Sequence, residues 1–514
     1  MADIRGFVVG VSNYTNIKVN NLPFCRNDIS AVKKALVSGL KMKTENIITF
    51  GETGFVNSKD FINGLIDLCS HSMPEDTVIF YFSGHGTTQL TGHHLVFSDA
   101  TVSTQAIINF LDKIKAKNKI IILDCCMSGN FTIDQSAKFS IYQTVEEFAG
   151  KGYAVLASSN AVQYSFRHPD KAISLFTSFL CDALQDKCII RNGKKSLYDI
   201  VRLVSLYLEI WNKRNPTMQQ QPIFRANMGG TILFNVEEYK PYYRKRVYEE
   251  NERYVIYDVE PLHSSRAKRY TAKVILNEPF SFDEITDISI EIKEKIRYIE
   301  VYPNEKSQSC WLNKLANIIW ICYGRDEGDI VNCNYICCAT WVDETQDEKW
   351  WYKLDKYSFV NKDIHFTIHP YYEVRKSFIL ESTVDKEVLI SQTKKVMSEL
   401  ITLAEKVIAL YNELKNNNIT ENEMLQKMDI LIPEIDKAYY KEIELGIAPN
   451  EIHSWQQGCS NLAGTIHDLT LFYNKKYINQ RTSKNRKDCM ETTIQRYYSD
   501  LGKIVKLEKD IWKT

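Results

Sequence analysis

The stretch IIILDCCMSGN, residues 120–130, decides the fold. Four consecutive aliphatic residues run into an acid, two adjacent cysteines and a Ser-Gly turn. A short apolar run of this kind is typical of a strand that is buried on both faces of a parallel sheet. A second such run, TVIFYF at 77–82, leads directly into FSGHG at 82–86. The two runs predict neighbouring strands of one sheet, each ending in a short loop.

The rest of the first 235 residues alternates predicted strands with predicted helices. Strands are predicted at 4–12, 47–50, 77–82, 119–123, 153–159 and 229–234, the last of them closing the sheet. Helices are predicted at 28–40, 58–70, 103–117, 174–184 and 196–213. Ser58 is the expected N-cap of the second helix. This alternation predicts an α/β domain with helices on both faces of its sheet.

The character of the chain changes after this domain. Residues 236–254 are charged, aromatic and aperiodic, as is typical of a linker. Short apolar stretches over residues 255–375, ISIEI at 288–292 among them, predict a mostly antiparallel β-rich accessory domain. The predicted domains are therefore 1–235, 236–254 as a linker, 255–375, and 382–514 as a helical C-terminal region.

The helical region has two local signals of its own. Ser382 and Asp385 match a capping box, which predicts the start of a helix there. The helix that follows carries apolar residues at coiled-coil spacing: Val396, Leu400, Leu403, Val407, Leu410 and Leu414.

The composition argues against some classes of function. Lys and Arg together number 64, as do Asp and Glu, so net charge favours neither nucleic acid nor an anionic membrane as a partner. No run approaches the roughly 18 apolar residues of a membrane-spanning helix, and no signal peptide is recognisable. Thirteen cysteines in no framework pattern indicate reduced thiols. We therefore expect a cytoplasmic protein with no membrane segment.

The two predicted strand ends carry reactive side chains. His85 follows one strand, and Cys125 and Cys126 follow the next, at the edge where functional groups of parallel sheets collect. A histidine beside a cysteine is what nucleophilic catalysis by a thiolate requires. Gly84 and Gly86 would allow a substrate backbone to approach closely, with N–H groups to stabilise an oxyanion. Either motif alone is more often simple packing, but both in this order favour catalysis.

The motifs YFSGHG and LDCCMSG together resemble the catalytic motifs of caspase-like cysteine peptidases, and most closely those of metacaspases and their bacterial relatives. The resemblance covers about residues 1–235 and implies a caspase-hemoglobinase sheet. It implies His85 as the base, Cys126 as the nucleophile, and the backbone N–H groups of Gly86 and Cys126 as the oxyanion hole. Cys125 then holds a variable position and is expected to point into or along the sheet.

The resemblance also implies a substrate pocket. CRND resembles the C-x-N-D of metacaspases, and Asp28 and Asp124 fall on the positions of the acids that line their S1 pocket. The segments LASSNAVQYSF and SLFTSFLCDAL, within 156–184, resemble the strand and the helix that close the other side of the pocket, which adds Ser158. Two carboxylates favour Arg or Lys at P1, since a buried cation needs a partner. Arg167 instead resembles the arginine with which animal caspases contact an aspartate at P1.

Each of these positions also has a structural interpretation. Asp28 is a plausible N-cap for the helix predicted at 28–40, and Asp124 could simply orient its loop. Arg167 could neutralise a nearby carboxylate. Met127 stands where metacaspases usually have His, which affects neither residue of the catalytic pair.

The function implied by the resemblance is a regulated cysteine endopeptidase that cleaves proteins after Arg or Lys. Bacterial caspase-like peptidases often carry variable modules and act in defence, which implies an effector of antiviral defence or cell death. The module at 255–514 would then receive an activating partner protein or a small signalling ligand. An Asp-specific caspase-like protease and a catalytically silent scaffold or sensor stay open as alternatives.

Neither a cofactor nor a metal is assigned from the sequence. Many metacaspases bind calcium through a cluster of acids, so Ca²⁺ stays open, although no such cluster is recognisable here. Four cysteines of the second half raise the question of zinc: Cys322, Cys333, Cys337 and Cys338. Their C-x₃-C-C spacing is not that of a zinc knuckle, so packing in a core is predicted. His365 and His369 receive no role.

Three basic segments are candidate sites of self-cleavage. Residues 188–196, 242–248 and 264–270 are polar, are predicted to connect regular elements, and offer Arg or Lys. A peptidase that prefers basic P1 residues is expected to cut its own chain there, and above all near Arg244 and Arg246.

Overall fold

The computed structural model describes residues 3–15, 19–89, 92–127, 153–158, 166–226, 230–239, 243, 246–346 and 354–511. The chain divides into two compact units, Met1–Tyr372 and Glu373–Thr514. None of the helices in the described ranges is long and apolar enough to span a membrane.

The strands in chain order are β1 (Ile4–Gly10), β2 (Ile47–Phe50), β3 (Thr77–Gln89), β4 (Gly92–Val96), β5 (Thr101–Ser103), β6 (Asn118–Met127), β7 (Ala154–Ala157), β8 (Ile190–Arg191), β9 (Lys194–Ser196), β10 (Ile223–Ala226), β11 (Leu233–Asn235), β12 (Glu249–Glu250), β13 (Tyr254–Pro261), β14 (Arg269–Leu276), β15 (Ile318–Gly324), β16 (Cys337–Val342), β17 (Ser358–Asn361) and β18 (Ile364–Ile368).

The helices are α1 (Cys25–Leu40), α2 (Ser58–His71), α3 (Thr104–Leu111), α4 (Leu175–Gln185), α5 (Leu197–Arg214), α6 (Phe282–Ile296), α7 (Glu305–Trp311), α8 (Glu327–Val331), α9 (Tyr372–Ser382), α10 (Lys386–Lys415), α11 (Glu421–Ile443), α12 (His453–Asp468) and α13 (Ser483–Ile511). Short 3₁₀ turns lie at Thr44–Asn46, Asn450–Ile452, Leu469–Leu471 and Ile478–Gln480.

The first sheet has the order β10-β7-β6-β3-β1-β2, and β4 and β5 extend it beside β3. The pairs from β7 to β2 are parallel, so their carboxyl ends meet at one edge. Alternate residues of its strands point into two cores. Helices α1, α4 and α5 cover one face, and α2 and α3 cover the other. The predicted α/β sheet with helices on both faces is confirmed.

The two motif strands are longer than predicted. SGHG continues β3 and DCCM continues β6, whereas the sequence suggested loops at both places. The reason is that the motifs pair with one another, from Ser83 opposite Asp124 to Gly86 opposite Met127. This mutual pairing keeps both segments extended.

The start of α1 also differs from the prediction. The helix begins at Cys25, and the backbone N–H of Asp28 already donates to the carbonyl oxygen of Phe24. Asp28 therefore lies in the first turn, and its interpretation as an N-cap is wrong. At α2 the N-cap is Asn57, whose side chain accepts from the N–H of Lys59, and Ser58 is the first helical residue.

The edge of the first sheet was predicted wrongly. The strand beside β7 is β10, which runs antiparallel to it, whereas β11 pairs with β9 in a small separate sheet. The burial of the predicted closing strand explains this, because Ile232 and Phe234 are buried while Leu233 is exposed. Such alternation fits a strand with one solvated face rather than a strand covered on both faces.

A second sheet follows, with the order β12-β13-β14-β15-β16-β18-β17. Its pairs are antiparallel except β14 with β15, which α6 connects in parallel. The residues 288–292, predicted as a strand, lie inside α6. Their isoleucines belong to a buried helical stripe: Ile285, Ile288, Ile292 and Ile296. A capping box of Ser281 and Glu284 starts this helix, and the strand prediction is wrong.

One hydrophobic core joins the first sheet to the second. It contains side chains of α1, α4 and α5 together with those of α6 and one face of the second sheet. On its border Arg202 of α5 forms an ion pair with Glu284, 2.8 Å from Nη2 to a carboxylate oxygen. Both sheets therefore lie in the unit Met1–Tyr372.

The unit Glu373–Thr514 is helical, as predicted. The apolar stripe predicted along its first long helix lies in α10 and packs into a core with α11, α12 and α13. The capping box at Ser382 is wrong, because Ser382 ends α9. The N-cap of α10 is Asp385, whose carboxylate accepts from the N–H groups of Glu387 and Val388.

Candidate functional site

The backbones of His85 and Cys126 are direct partners in the first sheet. In the parallel pairing of β3 with β6, Gly84 lies opposite Cys125, His85 opposite Cys126, and Gly86 opposite Met127. Neighbouring strands are about 4.8 Å apart, so the predicted base and the predicted nucleophile are adjacent. Cys125 is fully buried in the core that α2 and α3 cover, in agreement with the orientation expected for it.

Only one ring nitrogen of His85 is hydrogen-bonded to a described residue. Its Nε2 lies 2.8 Å from the backbone carbonyl oxygen of Asn20. A carbonyl oxygen only accepts, so Nε2 carries the proton and the neutral ring keeps a lone pair on Nδ1. Among the described residues, Nδ1 is buried with no hydrogen-bond partner. Nδ1 is therefore the nitrogen that can take a proton.

The protonation state of His85 agrees with a role as base. Burial lowers the pKa of His85, and the hydrogen bond to Asn20 partly opposes that shift. The ring is consequently neutral near neutral pH. Tyr14 fixes its position: the ring centroids are 5.0 Å apart, and the Tyr14 hydroxyl accepts from the His85 N–H while donating to the Val11 carbonyl.

Gly84 is required where it stands in the motif. A Cβ atom at this position would lie 3.0 Å from the Tyr14 hydroxyl oxygen and 3.0 Å from the ring of Phe82. Any side chain would therefore push away the tyrosine that positions His85.

Beside this pair, Asp28 is buried in a cage of hydroxyl and amide donors. Its carboxylate accepts from the Ser83 hydroxyl at 2.7 Å, and from both the backbone N–H, at 2.8 Å, and the hydroxyl of Ser174. Ser83 is two residues before His85 on β3, and Ser174 precedes α4. The carboxylate thus links the motif strand to the helix on the face of the sheet.

Asp124 lies on β6, opposite Ser83, and is also buried. Its carboxylate accepts from the Thr177 hydroxyl at 2.6 Å. That hydroxyl in turn accepts from Tyr81, because its own proton is used on Asp124. Helix α4 therefore supplies a hydroxyl donor to each of the two acids.

The two acids influence each other's charge. Burial and the negative charge of Asp124 raise the pKa of Asp28 to about 7, although hydrogen bonds from Ser174 and Ser83 oppose the shift. None of the described residues forms an ion pair with Asp28. A cation placed between two such carboxylates would stabilise the ionised form of both.

The remaining predicted pocket residues are differently placed. Ser158 follows β7, its N–H donates to the Leu123 carbonyl, and its buried hydroxyl has no partner among the described residues. Arg167 is exposed and bridges Ser174 through its backbone. It makes no ion pair with the described residues, so the expectation that it neutralises a carboxylate finds no support in them.

The family of this domain follows from comparison with known proteins. Residues 5–231 match the family model described as the caspase domain, Peptidase_C14. The chain contains a caspase domain. The resemblance stated from the two motifs is thereby confirmed, and the domain belongs to a family of cysteine proteases. The closer likeness to metacaspases and the role of each site residue stay predictions.

Solved structures of insect caspases are similar to this caspase domain. The crystal structure of caspase-1 from Spodoptera frugiperda is 13% identical, with a TM-score of 0.33, and the match covers 46% of this chain and 91% of that chain. A structure described as pro-sf-caspase-1 is 14% identical, with a TM-score of 0.34, and the match covers 46% and 92% of the two chains. No curated protein matches the sequence.

Several residues of the caspase domain's site escaped the sequence analysis. Ser83, Ser174 and Thr177 all lie in quoted motifs, but nothing marked their hydroxyls as donors to the acids. Tyr14 carries no motif at all. Asn20 acts through its backbone carbonyl, so its side-chain type gives no signal.

No metal site is found in the part of the chain that is described. Its His, Cys, Asp and Glu side chains form no group of three or more that could hold an ion. Of the cysteines considered for zinc, Cys337 is fully buried in the shared core, as predicted. Cys322 and Cys338 pack partly buried against a second apolar cluster, on the other face of the second sheet. For Cys333 the prediction is wrong, because this residue is exposed.

Proposed function

We propose that this protein is a cysteine endopeptidase that cleaves protein substrates after Arg or Lys. The caspase domain supplies the class of reaction. The observation that carries the specificity is the buried pair of carboxylates, Asp28 and Asp124. Asp124 lies two residues before Cys126 on β6, and Asp28 of α1 accepts from Ser83, two residues before His85 on β3.

The proposed reaction uses His85 and Cys126 as a pair. Nδ1 of His85 takes the thiol proton of Cys126, and the thiolate attacks the scissile carbonyl carbon. The predicted N–H donors of Gly86 and Cys126 stabilise the oxyanion. The proton on His85 then goes to the leaving amine, and water hydrolyses the thioester with His85 again as base.

The proposed specificity follows from the charge of the pocket. Without substrate, the surroundings of Asp28 disfavour its ionised form, which is why its pKa lies near 7. A guanidinium or ammonium group that enters the pocket stabilises both ionised acids. An aspartate at P1 would meet two acids and be repelled.

The test is digestion of a peptide library by the full chain, with Cys126→Ala as the inactive control. We expect products that end in Arg or Lys. A profile dominated by Asp at P1, and abolished by Arg167→Ala, would favour the Asp-specific alternative. Labelling of the wild type but not of Cys126→Ala by an Arg-directed covalent probe separates an enzyme from a silent scaffold.

Recognition of Arg is expected to weaken as the pH falls below about 7, because Asp28 then takes up a proton. The loss should approach about tenfold per pH unit at most, since one proton is involved. The measurement is the ratio of kcat/KM for a substrate with Arg at P1 to that for the same peptide with citrulline, its neutral isostere. Titration of His85 affects both substrates and cancels in the ratio. A ratio independent of pH would contradict a role for Asp28 in binding the cation.

We also propose that the module after the caspase domain regulates the pocket through α4. The N-terminal end of this helix holds both acids, through Ser174 and Thr177. Asp186 lies at the C-terminal end of α4. Its Oδ1 is 3.6 Å from Nη2 of Arg325, a fully buried residue directly after β15. A partner protein or small ligand that shifts the second sheet would therefore act on the acids. An effector role in bacterial defence or cell death rests on the family resemblance alone.

Self-cleavage is expected mainly in one of the three candidate segments. The predicted loop 188–196 is the β8–β9 hairpin, where the buried Nζ of Lys195 donates to the carbonyls of Gly39 and Leu184. Lys268 is likewise buried and donates to Glu300 and to the Lys314 carbonyl. Neither lysine can enter an active-site cleft in the folded chain, so within these two segments a cut is left to the exposed Arg191, Lys194 and Arg266.

The segment 242–248 lies partly outside the described residues, at 242 and 244–245, but Arg246 is described and exposed. We expect intact-mass analysis of active protein to find a cut in this segment, absent from Cys126→Ala and unaffected by Lys195→Ala or Lys268→Ala. A single uncut species in a fully active preparation would mean that control is conformational only.

A further inference from the structure

The second sheet carries two cysteine thiols in direct contact on the face away from the shared core. Cys322 of β15 and Cys338 of β16 are partners in antiparallel register, and their Sγ atoms are 3.0 Å apart. Partner residues of antiparallel strands have Cα atoms about 4.5 or 5.5 Å apart, within the roughly 4.4–6.8 Å that a disulfide spans. A bond between the two sulfurs therefore needs no movement of the backbone.

Neighbouring side chains make the two thiols unequal. Cys338 donates to Cys322, which lowers the pKa of Cys322, and Lys273, its partner on β14, lowers it further despite burial. The same hydrogen bond, together with burial, raises the pKa of Cys338. Nε2 of His369 lies 3.5 Å from the Cys338 sulfur. Cys322 is thus the better nucleophile, and Cys338 stands next to it as a second thiol.

Three other cysteines of the second half are placed differently. Cys337 points into the opposite core and is fully buried. Cys333 is exposed in the turn after α8, with a positive φ of 49°. Cys310 is exposed on α7. The pair Cys322–Cys338 is therefore a distinct feature of this sheet face.

We propose that Cys322 and Cys338 form a reversible disulfide when the protein meets a peroxide. The Cys322 thiolate attacks one peroxide oxygen; an S–O bond forms, the O–O bond breaks, and the leaving hydroxide takes up a proton to give water. The Cys338 sulfur then attacks the Cys322 sulfur, the S–O bond breaks, and a second water leaves. A small thiol or a dithiol protein returns two electrons and two protons and restores both cysteines.

The disulfide would close a loop over residues 323–337. This loop contains Arg325, whose N–H donates to Asp329 and whose guanidinium faces Asp186. Closing the loop restricts the unfolded chain, so the oxidised protein should melt at a higher temperature than the reduced protein. This consequence is independent of whether the caspase domain cleaves peptides.

The test is treatment of the full chain with hydrogen peroxide, alkylation of the remaining thiols, and peptide mapping by mass spectrometry. We expect a linked pair of peptides containing Cys322 and Cys338, lighter by two hydrogens than their sum and separated again by dithiothreitol. The link and the rise in melting temperature should be lost in Cys322→Ser and in Cys338→Ser. Both should persist in the control variants Cys310→Ser and Cys333→Ser.

The wild-type mapping decides the proposal even where a serine variant folds poorly. Oxidation of Cys310 to its sulfinic acid while Cys322 and Cys338 stay unlinked would overturn it. A link between Cys333 and Cys338 would also overturn it. Stoichiometric binding of Zn²⁺ that protects both thiols from peroxide would identify a metal site in place of a redox pair.

Discussion

Cys126→Ala and His85→Ala are each expected to lower kcat/KM for peptide cleavage by about 10³-fold or more while the fold is retained. The thiol is the nucleophile, and the Nδ1 lone pair that Asn20 leaves on His85 is the proton acceptor. The two residues act as a unit, so the double variant should be no worse than either single variant. The measurement is kcat/KM for each variant, with circular dichroism and thermal melts to confirm folding.

The matched control is Cys125→Ala, one position away. Cys125 is fully buried among the apolar side chains of the sheet, so its truncation should cost about 1 kcal/mol of stability and little activity. Retained turnover in Cys126→Ala together with loss in Cys125→Ala would show that the nucleophile is the other thiol.

The two motif strands could be predicted because their signals are local. A continuous apolar run ending in a polar motif occurs at both 77–86 and 119–127, and the register then places His85 opposite Cys126. The same strands show the limit of a local signal. Whether SGHG is a loop or an extension of β3 depends on its pairing with DCCM, which lies about 40 residues further along the chain.

The helix α6 was missed because its isoleucines fit two periods. Ile288, Ile290 and Ile292 alternate as they would in a strand. Over the longer window the buried stripe from Ile285 to Ile296 has the helical period, and the capping box starts it. β-Branched side chains favour a strand when only a short window is considered. The helix forms because its isoleucine stripe packs against the shared core.

The cage around Asp28 could not be predicted for a different reason. Its donors come from β3 and from the residue that precedes α4, which are far apart in sequence. The motif named the acid, but the burial that raises its pKa arises only when these elements pack together.

Asp28→Asn is expected to lower cleavage after Arg or Lys by the equivalent of about 2–4 kcal/mol, because a buried cation then loses one of its two charged partners. The same change should stabilise the substrate-free protein at alkaline pH. The amide fits the cage: its oxygen can accept from the Ser174 N–H, and its NH₂ group can donate to the hydroxyls of Ser83 and Ser174.

The sign of the stability effect follows from the pKa of Asp28, which folding raises from 3.8 to about 7. Between these values the folded chain binds more protons than the unfolded chain, so the free energy of unfolding falls as the pH rises through this window. The loss, a few kcal/mol at most, persists above about pH 7. Asparagine does not ionise, so thermal melts of Asp28→Asn and wild type should coincide near about pH 4 and diverge toward about pH 8, with the variant more stable.

Asp76→Asn is the control with the opposite sign. Burial raises the pKa of Asp76, but hydrogen bonds from Met73, Arg5 and Asp3 outweigh it, and the net shift is downward. Asp76→Asn should therefore destabilise the protein at neutral pH, and the difference should shrink as the pH falls toward the pKa of Asp76. If Asp28→Asn behaved like Asp76→Asn, the fold would stabilise the charge of Asp28 by itself. Asp28 would then need no cation to stabilise its ionised form, and the argument for Arg or Lys at P1 would fail. A variant that is more stable and less active would instead mean that the positive charge of the substrate supplies the partner that Asp28 needs.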